Sequence, residues 1–300
     1  MPKIKRVLAA TDFSAPARLA VERASLISNE TKSVLDLIHV ANLHYLDRLR
    51  QLVAATPLNL QNQVLASART GLQTLGDEIS AKHNMPPDLH VITGSPIAEL
   101  VKKIDDRAAD LIVCGAKGES VVRHALLGST AQRLLSRARC PILVVKQPPL
   151  GPYRSVLVPV DFSPSSLCAI RHAKAIAPNA HLTLLHVYEV PFEGYMRHAS
   201  VDSDIIQHYR VRAKREATIN IHTLAEDSKL LLGNFSVVVV HGDPTMGITQ
   251  QEKVQRADLI VMGKHGESKL ERLLLGSVTN YVLAESQCDV LVSITKNEVG

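Results

Sequence analysis

The sequence predicts an α/β protein of two tandem domains, each a doubly wound, mainly parallel sheet of five strands. Three observations carry this. First, 300 residues are too many for one ordinary core and suit two domains of about 150 residues. Second, the chain repeats itself. Residues 115–130 read GAKGESVVRHALLGST and residues 263–278 read GKHGESKLERLLLGSV. Third, apolar β-branched runs alternate with helical stretches in both halves, which implies right-handed crossovers and parallel strands.

The repeat holds a nearly constant offset. Gly115 and Gly263, Gly128 and Gly276, and Cys140 and Cys288 are each 148 residues apart. Across 110–129 and 258–277, twelve of twenty positions are identical, so one domain has been copied whole rather than a short unit many times. The join falls in QPPLGPY at 147–153, whose prolines and glycine suit neither a helix nor a central strand. The expected domains are 1–147 and 153–300.

In the first half, IKRVLAA (4–10), SVLDLIHV (33–40), HVIT (90–93), DLIVCG (110–115) and PILVV (141–145) read as buried strands. Helices are expected over 15–28, much of 58–83, 96–107 and 129–138. The second half repeats the order with RSVLVPV, HLTLLHV, SVVVVH, DLIVMG and DVLVSI. Only 3% of residues are aromatic and there is no Trp, so Leu, Ile, Val and Ala must build the cores, as in a parallel sheet covered by helices.

Charge and cysteine usage exclude several classes. Residues 1–150 carry 19 Lys/Arg against 13 Asp/Glu, and residues 151–300 carry 15 against 16. The basic half favours an anionic ligand, but it has no dense basic run with interleaved aromatics, so nucleic acid is not the expected partner. Cys114, Cys140, Cys168 and Cys288 form no CxxC pair and read as reduced, small apolar residues. The N-terminal apolar stretch meets Asp12 after four residues, too soon for a signal peptide, and no run approaches a membrane span. A cytoplasmic protein without a membrane partner is expected.

In doubly wound sheets, ligands bind beyond the carboxyl ends of the strands, where the winding reverses. Asp12, Val40 and Gly115 fall at such ends. Gly115 lets another backbone or a flat ligand approach closely. Gly118 permits a positive φ in the next turn, and Gly128, Ser129 and Thr130 open a helix whose free N–H groups suit an anion. Lys117 and Arg123 could add charge nearby. In the second copy, Gly276, Ser277 and Thr279 keep the arrangement, with Lys264 and Lys269 near. Each of these features is equally compatible with turn and cap chemistry.

Asp12 in ATDFSAP and Asp161 in PVDFSPS could accept a hydrogen bond from a ribose hydroxyl or a base amine, or start the helix that follows. Ser14 and Ser163 are expected as helix caps. His39 and His186 end near-identical strands and read as half-buried structural imidazoles. His172, His181, His198, His208 and His222 read as surface residues in helices and loops. No Cys/His cluster points to a metal and no serine or cysteine reads as a nucleophile, so no catalytic or metal-ligating residue is expected.

The strand-end aspartate, the L-x-L-(I/L)-H-V second strand, the Gly-x-Pro turn and the G-x2-G-x9-G-S loop, with the flanking DLIV(C/M)G and CPILVV strands, resemble the universal stress protein family in its tandem form. The resemblance implies a Rossmann-like sheet of order 3-2-1-4-5. It implies ATP as ligand, with Mg or Mn accompanying the phosphates. Asp12 and Val40 would meet the nucleoside, and Gly115, Gly118, Gly128, Ser129 and Thr130 the phosphates. Asp161, Val187, Gly263, Gly266, Gly276, Ser277 and Thr279 would do so in the second half. One departure is that Ala131 stands where the second copy has Thr279. The expected role is a nucleotide-responsive stress or signalling module, not an enzyme beyond weak ATP hydrolysis. A scaffold that binds no nucleotide and an ATP-dependent transfer enzyme are the alternatives. The halves would pair as an internal pseudo-dimer, with a homodimer left open because terminal strands could still pair across chains.

Overall fold

The computed structural model describes residues 3–43, 60–117, 127–231, 233–265 and 275–294. Packing divides the chain between Pro152 and Tyr153 into two units.

The first unit runs β1 (Arg6–Ala10), α1 (Ala15–Thr31), β2 (Val34–Ala41), α2 (Leu60–His83), β3 (Asp88–Thr93), α3 (Pro96–Asp106), β4 (Leu111–Gly115), α4 (Ser129–Arg137) and β5 (Ile142–Val145). Its strands are parallel in the order β3-β2-β1-β4-β5. The second unit runs β6 (Ser155–Pro159), α5 (Pro164–Ile176), β7 (His181–Tyr188), α6 (Glu193–His198), α7 (Ser203–Asp227), β8 (Phe235–His241), α8 (Pro244–Val254), β9 (Leu259–Gly263), α9 (Ser277–Glu285) and β10 (Asp289–Ser293). Its strands are parallel in the order β8-β7-β6-β9-β10, which is the first unit's order again.

The central strands are apolar because both their faces are covered. Val7, Leu8 and Ala9 on β1, Leu111, Ile112 and Val113 on β4, and their counterparts Val156, Leu157, Val158, Leu259, Ile260 and Val261 are all inaccessible to solvent. Tyr153 is the one aromatic among the described buried apolar residues, as the scarcity of aromatics requires. Burial pushes the thiols of Cys114 and Cys140 up to about 12, so both behave as small apolar groups. Among the described residues, no helix is long and apolar enough to cross a membrane.

Two expectations are corrected here. His172 is buried rather than on the surface, with its Nδ1 2.7 Å from Ser293 Oγ, because α5 packs that face onto the sheet. His181 is exposed, as expected, and opens strand β7, where the run HLTLLHV places it rather than in a helix or loop. Ser163 stands at the N-cap of α5 in backbone terms but makes no cap bond. Its hydroxyl donates to Asp161 Oδ1 at 2.6 Å instead.

Candidate functional site

In each unit the first strand sits between two neighbours reached by crossovers of opposite direction, so a cleft opens beyond its carboxyl end. In the second unit this cleft is a cavity of about 300 Å3. Asp161, Val187, Gly263, Gly276, Ser277 and Thr279 all line it. Of the other second-half residues singled out from sequence for the ligand, Lys264 is buried and is not part of the cavity wall, and Gly266 and Lys269 fall outside the described residues.

The aspartate comes from the turn after β6. Its Oδ1 accepts from the Ser163 amide at 3.1 Å, the Ser163 hydroxyl at 2.6 Å and the Ser166 hydroxyl at 2.7 Å. Three donors on one oxygen fix the carboxylate and leave Oδ2 without a described hydrogen-bond partner. Asp12 is held in the same way, by the Ser14 amide at 3.0 Å and the Ser14 hydroxyl at 2.5 Å. There Ser14 also caps α1, accepting from the Ala17 amide at 3.4 Å, as expected.

Val187 contributes backbone. The Leu185 carbonyl accepts from Val160 N–H, the last rung before β6 ends. In a strand, residues two apart point their amide groups to the same side. The N–H and C=O of Val187 therefore point past the end of β6, where no strand stands beside them. The first unit repeats this, with Ile38 accepting from Thr11 N–H and Val40 two residues on.

The glycines divide into two kinds. A Cβ on Gly263 would lie 2.6 Å from Ser165 Cβ, and one on Gly115 would lie 2.9 Å from the Pro16 backbone. These glycines let the first turn of the next helix cross the strand end; the close approach is by backbone and helix. Gly276 differs. Its φ is −58°, which any residue adopts, and a Cβ there would meet nothing nearer than Lys264 O at 3.5 Å. Neither conformation nor packing demands glycine at that position.

Gly276 is the N-cap of α9, and no side chain caps that helix. Gly128 is likewise the uncapped N-cap of α4. The Gly276 amide donates to Lys264 O at 3.1 Å and the Gly128 amide to Ala116 O at 2.7 Å. The first-turn amides that follow have no side-chain cap, so this end carries partial positive charge. In the second unit that end is on the cavity wall. The Thr279 hydroxyl donates to Gly263 O at 3.0 Å and ties the helix to the strand end. Ala131, at the matching place, cannot supply that bond. In the first unit Ser129, Thr130 and Lys117 are exposed and Gly115 and Val40 half-buried, while Gly118 and Arg123 lie outside the described residues, as does Lys269.

Reading the sequence alone missed several lining residues. Pro159, Leu185, Pro244, Ile248 and Met262 give the cavity an apolar wall, and Ser166 adds the third donor to Asp161. His265 also lines it, with Nε2 buried and unpartnered among the described residues. The hydroxyl five residues after Asp161 was the available signal for Ser166. The insert after β7 forms α6, whose Glu193 is held by Arg210, Arg197 and His241 beside a second cavity of about 410 Å3. Arg210 first of all brings the Glu193 carboxyl down to about 2. The matching first-half stretch HYLDRLRQL lies outside the described residues.

The universal stress protein family model matches this chain twice, over residues 3–146 and 152–293. A universal stress protein of Mycobacterium tuberculosis is 26% identical over 235 residues, covering 77% of this chain and 76% of the relative. One from Mycolicibacterium smegmatis is 24% identical over 299 residues, covering 95% and 96%. The crystal structure of a universal stress protein from Archaeoglobus fulgidus superposes with a TM-score of 0.66 at 19% identity, covering 96% of this chain and 98% of that one, which fixes the fold. With nearly its whole length taken up by two matches and the sheet order the same in each, the chain belongs to the universal stress protein family, as a tandem of two of its domains.

Proposed function

We propose that this protein is a stress-response module that binds an adenine nucleotide, ATP, beyond the carboxyl ends of the strands in each half, at 1–147 and 153–300. The observation that carries the reading is the second-half cavity. An uncapped helix start, a strand backbone with no neighbour and a fixed carboxylate converge on one apolar-walled space. Those groups suit the parts of a nucleotide. The α9 amides of Ser277, Val278 and Thr279 favour a polyanion. The Val187 N–H and C=O offer one donor and one acceptor to a base edge. Asp161 Oδ2 can accept from a ribose hydroxyl. In the first half Asp12, Val40, Gly115, Lys117, Gly118, Gly128, Ser129 and Thr130 would serve the same ends.

The donor set fits a divalent cation only as a companion of the phosphates. Asp161 is the one carboxylate among the described lining residues, and three protein donors already hold its Oδ1. Mg or Mn would therefore be held by phosphate oxygens and water, as Mg commonly is. In this reading the wall serves to hold the nucleotide, the part of a sensor rather than of a transfer enzyme.

The direct test is melting with and without Mg-ATP. Binding only to the folded state at 100 times the dissociation constant adds about 2.7 kcal/mol. An unchanged melting curve at millimolar ATP refutes the proposal. It would support the second reading, a scaffold without nucleotide, which the interior roles of Gly115 and Gly263 favour.

A further inference from the structure

In each half one imidazole brackets the strand-end aspartate. His186 lies on β7 and lines the cavity. Its Nδ1 is 2.8 Å from the carbonyl oxygen of Val160. A carbonyl only accepts, so Nδ1 carries the proton and donates. The same ring packs against Phe162, with centroids 4.5 Å apart. Val160 and Phe162 are the two sequence neighbours of Asp161. In the first half His39 Nδ1 is 2.9 Å from Thr11 O, and the ring stacks on Phe13 at 4.4 Å. Thr11 and Phe13 are the two neighbours of Asp12.

The geometry explains why the histidine is there. Thr11 N–H and Val160 N–H make the last backbone rungs to β2 and β7, on Ile38 and Leu185. The imidazole then takes the carbonyl of the same residue, so a side chain supplies the rung that the departing strand cannot. On the far side, Phe13 and Phe162 sit at φ 66° and 65°. A bulky residue keeps a left-handed backbone only where its surroundings impose it. The imidazole packed against each phenyl ring is one such constraint. Together the two contacts set the turn in which the aspartate leaves the sheet, and so the direction of its carboxylate.

We infer that His39 and His186 are positioning residues for the nucleoside end of the site, acting through Asp12 and Asp161. This rests on the nucleotide reading above. Positioning of this kind contributes affinity by holding a contact ready before the ligand arrives.

The test uses the full chain and two titrants, ATP and inorganic tripolyphosphate, which has no nucleoside to reach the aspartates. In H39A/H186A, ATP should bind about tenfold more weakly, while tripolyphosphate binds as in wild type. In H39N/H186N, whose amide nitrogen can stand in for Nδ1, most of the ATP affinity should return. Added to D12N/D161N, the alanine pair should cost less than about twofold more, because the carboxylates it served are gone. Should H39A/H186A fail to fold, H39Q/H186Q takes its place, since the longer amide overshoots the carbonyl. ATP affinity equal to wild type in the pair, an equal loss for tripolyphosphate, or a full loss on the D12N/D161N background overturns the inference. Failure of wild type itself to bind ATP overturns the nucleotide reading, a result separate from these.

Discussion

Replacing Gly276 with serine should stabilise the second unit and weaken the nucleotide site proposed there at once. Gly276 has φ −58° and ψ 150°, the extended conformation that N-cap serines adopt. The nearest atom to a Cβ at this position would be Lys264 O at 3.5 Å, an ordinary contact, so the side chain fits. Its hydroxyl would accept from Val278 N–H or Thr279 N–H, the first-turn amides proposed to hold phosphate. A serine cap in place of glycine adds about a few tenths of a kcal/mol. For a unit of this size that raises the melting temperature by about 1 °C. Losing even one charge-assisted phosphate contact costs about 1.5–3 kcal/mol, roughly tenfold or more in ATP affinity. Calorimetric titration of G276S with Mg-ATP, beside its melting curve, reads both effects. A variant that melts higher yet binds ATP like wild type would show that these amides face no ligand. One that melts well below wild type would show that the glycine serves the fold.

The opposite outcome is expected for G263A, whose Cβ would lie 2.6 Å from Ser165 Cβ: overpacking should cost about 1–3 kcal/mol, read in chemical unfolding of the second unit. Burial lowers the His172 pKa from 6.5 to about 4, so the folded state keeps the ring neutral while the unfolded chain takes up a proton. Stability from this residue is therefore complete above pH 6.5 and drains as pH falls toward 4, by about 3 kcal/mol in all, and H172Q should flatten that slope in denaturant titrations at pH 7.5 and 4.5. Asp36 is fully buried; burial alone would raise its pKa, but Arg107, Arg6 and His90 outweigh that and hold it below 3.8. Its contribution is present above 3.8 and is lost as pH falls through the lower folded value, so D36N should cost about 3 kcal/mol at pH 7 and progressively less in strong acid, measured in the first unit.

Much of the architecture was legible because parallel strands covered on both faces must be continuous apolar runs. DLIVCG and DLIVMG could be little else, and both are central strands. The ends of elements were less legible, and the reason is tertiary. β3 begins at Asp88, two residues before the apolar run HVIT, because Asp36 on β2 pairs with Asp88 and gathers Arg6, Arg107 and His90 around that register. The matching pair in the second unit is Thr183 and Ser236, which meet hydroxyl to hydroxyl at 3.2 Å. Nothing local to either segment announces such a partner. The burial of His172 escapes the sequence for the same reason, since Ser293, the group that receives its ring, lies 121 residues away.

Six residues of the second unit's cavity wall were legible in the sequence, but not the contacts that each side chain makes. Two serines after two aspartates look alike in DFSAP and DFSPS, yet Ser14 caps a helix and Ser163 does not. The difference sits three residues further on, where Ala17 in one copy is Ser166 in the other. Ser166 brings a second hydroxyl to Asp161, a donor that Ala17 cannot supply to Asp12. Thr279 against Ala131 changes the far rim in the same sense, adding a tie between helix and strand end in the second half. Both substitutions fasten groups before any ligand arrives, and a group already fastened loses less freedom on binding. Copying a domain thus preserved the strand-end glycines that the fold requires, while side chains one turn away came to differ in how firmly they fasten the strand end and the helix start.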